Sequence, residues 1–257
     1  MRNNFPSTRA SALIPRAAFA FAIISILGIG SRLDILAQRN FSKIYPVRQS
    51  IELRLNNWSG QIEVQGCECS DIRMKITIDS KGTKVNPEMV NGVLMVDLGR
   101  DNPGVADVGD VNFLIRLPSN ASLDLMTRVG NVKVSDIHGA TVRARVTEGD
   151  INLLNVNTSS LIAEDKTGGI FFDGELQRNG SYKFSTFEGD ITLRIPAYST
   201  FHLEASAPNS RSITLGNFAS AAMNSLGGGR KLSGIVGDGQ ATVNIMNFRG
   251  RISFLER

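Results

Sequence analysis

Few residues in this chain could do chemistry. Cys67 and Cys69 are its two cysteines, and on an extended segment an i, i+2 spacing turns both side chains to one side. Two thiolates so placed could seat a soft metal, but with no His nearby they fall short of the four ligands of a structural zinc site. In an oxidising compartment they could instead close a local disulfide or cross-link two chains. A structural pair is the leading reading, with free thiols the alternative. Glu148 and Asp150 recur as Glu188 and Asp190 at equivalent points of two similar stretches, so a stacked acidic ladder could form. The simpler reading is turn chemistry, because Asp beside Gly tolerates tight turns. The Gly-Gly-x-Gly-x-Asp calcium repeat is missing. Glycoside hydrolysis needs two converging carboxylates, so a carbohydrate-active enzyme drawing on Glu148, Asp150 and Asp190 is the alternative function. His138, in the turn Ser135-Asp136-Ile137-His138-Gly139, and His202, in an alternating strand, both read as solvent-facing. No Gly-x-Ser-x-Gly elbow accompanies them. Gly227-Gly228-Gly229-Arg230-Lys231 lacks the Gly-Lys-Ser/Thr ending of a phosphate loop and reads as a flexible connection. No catalytic residue, cofactor site or metal site is expected.

The elements that would carry these residues are strands. Apolar and polar residues alternate at period two in Ile51-Glu52-Leu53-Arg54-Leu55, Val142-Arg143-Ala144-Arg145-Val146 and Ile191-Thr192-Leu193-Arg194-Ile195, among others, which marks half-buried strands. The one weak helical stretch runs from Phe218 to Leu226. Short glycine turns precede the strands: Gly60, Gly130, Gly149, Gly169, Gly189 and Gly250, with Asp150 and Asp190 beside two of them. From Gly130 the steps are 19, 20 and 20 residues, and the 61 residues from Gly189 to Gly250 are close to three more. A period near 20 residues, two short strands per unit, predicts an all-β β-solenoid or β-helix-like stack. A two-sheet antiparallel sandwich is the alternative. Pro118 and Pro196 close similar strands, as proline cannot donate to a ladder. The closing segment, Ile252 to Arg257, reads as a strand that caps the stack and discourages edge pairing through its charge.

Residues 1–37 read differently. Arg2, Arg9 and Arg16 precede a 14-residue apolar run from Ala17 to Gly30, the grammar of a cleaved signal peptide with an exit after Ala37. The run is shorter than the roughly 20 residues a membrane-spanning helix needs, so no stable span is expected after cleavage. This leaves residues 38–257 as a single repetitive β domain. The 257-residue chain has 28 Lys+Arg against 24 Asp+Glu and a pI near 9.3. Four of the Arg and one Asp sit in residues 1–37, leaving 24 basic and 23 acidic residues beyond, net +1. Arg128, Lys133, Arg143 and Arg145 are interleaved with Asp124, Asp136, Glu148 and Asp150, so the body reads as a solvated surface and no nucleic-acid partner is expected.

The spaced Gly-Asp-Ile turns, the Arg-Leu-Pro and Arg-Ile-Pro strand exits, the opening Phe41-Ser42-Lys43-Ile44-Tyr45-Pro46 and the segment Asn56-Asn57-Trp58-Ser59-Gly60-Gln61-Ile62-Glu63-Val64 resemble the bacterial putative-adhesin family of unknown function. The resemblance covers residues 41–257. It implies an exported, β-solenoid-like, non-catalytic cell-envelope or surface-display protein. It would be periplasmic, on the cell surface or extracellular, with a surface ligand, glycan or envelope protein, as partner. Cys67-Glu68-Cys69 departs from the Trp-Asp of many relatives at that corner.

Overall fold

The computed structural model describes residues 39–47, 51–210 and 212–257. The signal peptide expected over residues 1–37 lies outside the described residues. Alternation at period two becomes strands as expected, because each strand keeps its aliphatic residues inward and its polar ones outward. In chain order these are β1 (Arg39–Pro46), β2 (Glu52–Ser59), β3 (Ile62–Cys67), β4 (Asp71–Ile78), β5 (Glu88–Val90) and β6 (Val93–Asp97). The short helix α1 (Leu98–Asp101) precedes β7 (Val111–Pro118), β8 (Ser122–Val129), β9 (Val132–Ile137), β10 (Thr141–Glu148) and β11 (Ile151–Val156). Then come β12 (Ser160–Thr167), β13 (Ile170–Asp173), β14 (Ser181–Glu188), β15 (Ile191–Ile195), β16 (Phe201–Ser206) and β17 (Ile213–Thr214). A 3-10 turn at Gly216–Phe218 leads to β18 (Asn224–Leu226), β19 (Lys231–Val236), β20 (Ala241–Arg249) and β21 (Ile252–Glu256). The helical reading of Phe218 to Leu226 is thus corrected. Its residues spread over the end of a 3-10 turn, a bend and a strand that pairs with β19, where ladder bonds replace the helical ones.

Two sheets face each other. The first runs β1-β4-β7-β3-β9-β11-β13-β15-β21-β17, the second β18-β19-β16-β20-β14-β12-β10-β8-β2-β6-β5. One coil is a strand of the second sheet followed by a strand of the first. Four coils, β8/β9 to β14/β15, stack in chain order with parallel, in-register ladders: Val142 lies beside Leu123 and Leu161, and Ile151 beside Val132 and Ile170. This is a β-solenoid. Antiparallel pairing belongs to the two ends, at β1–β4, β4–β7 and β5–β6 on one side and β16–β19 and β18–β19 on the other.

The long steps between glycines have another cause than extra coils. Strands β20 and β21 lie directly beside β14 and β15, so Gly189 and Gly250 belong to adjacent coils. The 61 residues between them make an excursion, β16 to β19, that passes outside and lets the last coil slip in beneath it. The first coil, β2/β3, is likewise held between β6/β7 and β8/β9, which accounts for the 70 residues from Gly60 to Gly130. The final strand therefore does not cap the stack; β21 has β15 on one side and β17 on the other. Between the sheets the core is aliphatic at the first coils and aromatic towards the last. Phe172, Tyr182, Phe184, Phe201 and Phe254 are fully buried there, and Ala144 and Ala163 stand in register with Phe184 to make room for its ring.

Candidate functional site

The corner between the two sheets holds most of the residues singled out in the sequence. Gly60, Gly130, Gly149, Gly168, Gly189 and Gly250 form one column, with φ from +107° to +152°. In each from Gly130 on, a Cβ would come within 1.8–2.3 Å of the carbonyl oxygen of the glycine one coil earlier, so only glycine lets the coils approach. Gly168, not Gly169, is the member of this column. Gly169 takes the next position, which Asn131, Asp150, Asp190 and Arg251 occupy in neighbouring coils. There the side chains cap backbone: Asn131 Oδ1 accepts from the Asp150 N–H, Asp150 Oδ1 from the Gly169 N–H and Asp190 Oδ1 from the Arg251 N–H, each at 2.8 Å. Asp190 also receives the Arg251 guanidinium at 2.7 Å. These bonds hold its carboxyl below the usual carboxylate range, the Arg251 backbone N–H foremost.

The acidic ladder is interrupted. Glu148 and Glu188 are separated by Thr167, and Asp150 and Asp190 by Gly169, so each like pair stands two strand spacings apart, roughly 10 Å. Asp190, whose carboxyl is held low by Arg251, does not resemble the raised carboxylic acid a glycosidase uses as its proton donor, and Asp150 is engaged in capping the Gly169 N–H. No group of three or more His, Cys, Asp or Glu that could hold a metal occurs among the described residues.

Cys67 ends β3 and is joined to Cys69 by a disulfide, Cα–Cα 5.3 Å, at the corner where the chain turns into the antiparallel β4. His138 is exposed, its Nδ1 3.1 Å from Asn157 Nδ2, and His202 faces outward from β16. Gly227, Gly228 and Gly229 all have positive φ and make the tight link between β18 and β19. The interleaved charges pair across coils: Arg145 with Asp124 at 2.7 Å, Lys133 with Glu63 at 2.9 Å, while the Arg128 guanidinium lies over the Trp58 ring at 5.8 Å.

A groove was not foreseen. On the outer face of the second sheet, β14, β20, β16 and β19 floor an open groove of about 600 Å³. Leu226 of β18 and Met246 of β20 line it, 61% and 56% exposed, with Lys183, Glu204 and Lys231 supplying charge. Beyond Met246 on the same face, Phe248 stacks on Phe187 with ring centroids 4.8 Å apart. The sequence signal was present in β20, where Met246 and Phe248 occupy outward positions that β12 fills with Glu164 and Lys166. What was missing is the excursion that sets β16 and β19 beside it.

Stacked two-strand coils, parallel ladders and a glycine corner place the molecule in the class of two-sheet β-solenoids. The chain belongs to the Toastrack DUF4097 family, which matches residues 46–252. Among solved structures it is similar to a putative cell adhesion protein from Clostridium sporogenes, at 13% identity over 85% of this chain and 100% of that one, with a TM-score of 0.51. It is also similar to a putative adhesin from Bacteroides fragilis (11% identity, 85% and 97% covered, TM-score 0.35) and to a putative lipid binding protein from Parabacteroides distasonis (12% identity, 84% and 96% covered, TM-score 0.37). No curated protein matches it.

Proposed function

We propose that the protein is an exported, non-catalytic, adhesin-like envelope protein that presents the groove of the second sheet to a surface ligand, a glycan or an envelope protein. The observation that carries this reading is the groove itself, where Leu226 and Met246 stand exposed among Lys183, Glu204 and Lys231, with Phe187 and Phe248 farther along the same face. Exposed apolar residues grouped in one concavity mark binding surfaces in soluble proteins. Family membership and the fold shared with a protein described as a putative cell adhesion protein are in keeping with it. In this reading the N-terminal segment directs export, and the carboxylates of the corner serve the turns.

Binding of the full chain to an array of immobilised bacterial glycans and to purified envelope protein, compared with its Leu226→Asp and Met246→Asp forms, tests the groove. Binding that both variants abolish supports the reading; binding indifferent to them places the ligand elsewhere. Polysaccharide hydrolysis lost in Asp150→Asn or Asp190→Asn would overturn the non-catalytic part. Sequencing the N-terminus of the exported protein checks the leader, with residue 38 expected first.

A further inference from the structure

Behind the glycine column runs a second column of inward-facing residues, near the ends of β2, β8, β10, β12, β14 and β20 in the second sheet: Asn57, Thr127, Val146, Asp165, Thr186 and Asn247. All but Val146 are polar and buried. The amide and hydroxyl members do the same work. Each donates to a carbonyl of the corner, in some cases beside a backbone N–H that the carbonyl already accepts, as Val129 O does from Gly60 and Glu188 O from Gly168. Asn57 Nδ2 donates to Ser59 O and Val111 O at 2.9 Å, and Thr127 Oγ1 to Val129 O at 3.2 Å. Thr186 Oγ1 donates to Gly168 O at 3.1 Å and Glu188 O at 3.3 Å, Asn247 Nδ2 to Gly189 O at 2.8 Å. Asn57, Thr127 and Thr186 donate to the carbonyl two residues ahead, Thr186 and Asn247 to the glycine carbonyl one coil back, and Asn247 also to Arg251 O at 3.1 Å.

Asp165 is the exception in kind. It is 7% exposed. Its Oδ1 accepts from the Thr167 N–H at 3.1 Å, while Oδ2 is buried with no hydrogen-bond partner. That oxygen lies against Gly168, in the place where Asn247 holds its amide donor against Gly250. An ionised carboxylate can only accept, so it cannot fill this place; a carboxylic acid can.

We propose that Asp165 stands in the fold as the neutral acid, its Oδ2–H donating to the corner carbonyls of Gly149 and Thr167, so that loss of this proton loosens the corner at residues 165–168. Its surroundings favour the proton. In register it has Val146 on β10 and Thr186 on β14, neither of them charged. The charged groups nearby are mostly acidic: Asp150 in the adjoining turn, Glu148 of β10 and Glu188 of β14 two residues on from Val146 and Thr186, and Glu164 on its own strand, against Lys166. Asp165 forms no ion pair recorded among the described residues. Burial, with a smaller push from Asp150 and against the Lys166 and Thr167 backbone N–H groups, raises its carboxyl to about 7. An acid whose folded value lies above its unfolded one of 3.8 stabilises the fold fully below 3.8 and loses that contribution as pH rises to about 7.

The test is the melting temperature of the full chain and of Asp165→Asn from pH 4.5 to pH 8, with the side-chain carboxyl of Asp165 followed by carbon NMR in the unaltered protein. Asn carries the donor at every pH. The variant is expected to gain on the parent steadily as pH rises, melting close to it at pH 4.5 and higher by about 5 °C more at pH 8. The Asp165 resonance, assigned by its absence from the variant, is expected to titrate with a midpoint near 7. A difference in melting temperature that does not change with pH, or a carboxyl midpoint below 5, overturns the proposal. The NMR arm stands even if the variant does not fold.

Discussion

Two adjacent glycines sharpen what a single residue does in this fold. A Cβ on Gly168 would lie 1.8 Å from Gly149 O at φ +152°, whereas a Cβ on Gly169 would meet nothing nearer than Asp190 O at 3.4 Å, at ordinary φ. Gly168→Ala is expected to lower stability by about 3 kcal/mol or more, from forbidden backbone and a clash with backbone that cannot move. Gly169→Ala is expected to change it by less than about 1 kcal/mol, since restricting the unfolded chain offsets a tight contact. Urea titration of the two variants checks this pair. Pattern reading fixes on Gly169 because glycine–glycine repeats are ambiguous by one residue, and a one-residue slip flips faces without disturbing the count. At the next position Asp190 titrates in the opposite sense to Asp165. Its folded value is depressed, so it stabilises above its unfolded 3.8 and the contribution fades as pH falls. Asp190→Asn should therefore lower the urea midpoint slightly at pH 7, and by progressively less as pH falls below 3.8.

At the scale of elements, the strands and their inward faces were legible in the sequence because period-two alternation in Val142–Val146 or Ile191–Ile195 is a local signal. Which strand neighbours which was not, at the two ends. Strand β20 reaches β14 across the whole excursion β16 to β19, and nothing local in residues 201–236 marks them as a detour rather than as further coils. The groove was illegible for the same reason. The disulfide closes a loop of three residues, so its chain-entropy contribution is at most about 1.6 kcal/mol. Cys67→Ser with Cys69→Ser is expected to fold, with a modest fall in melting temperature. Non-reducing peptide mapping of the parent should return the two cysteines linked within one peptide.

In the whole molecule, the arrangement of the ends changes how the stack comes apart. A simple solenoid frays from its terminal repeats, since each touches only its neighbours. Here the first and last coils in the chain each have a coil on both flanks, so neither can leave without breaking two sets of ladders. Thermal unfolding is accordingly expected as one transition, with calorimetric and van't Hoff enthalpies equal. Deleting residues 241–257 should abolish the folded state rather than shorten it, because β14/β15 and β16 would then lose the strands between them; circular dichroism of the truncated chain checks this. Folding should be slow, with protection from hydrogen exchange appearing first over residues 122–195, where coils follow one another in the chain. The same intercalation bears on tension. Strand β21 pairs in parallel with β15 over five residues and with β17 over two, while β1 pairs with β4 alone among the described residues, at the edge of the first sheet. A pull applied between β1 and β21 would peel β1 first, leaving β21 as the fixed anchor of the fold.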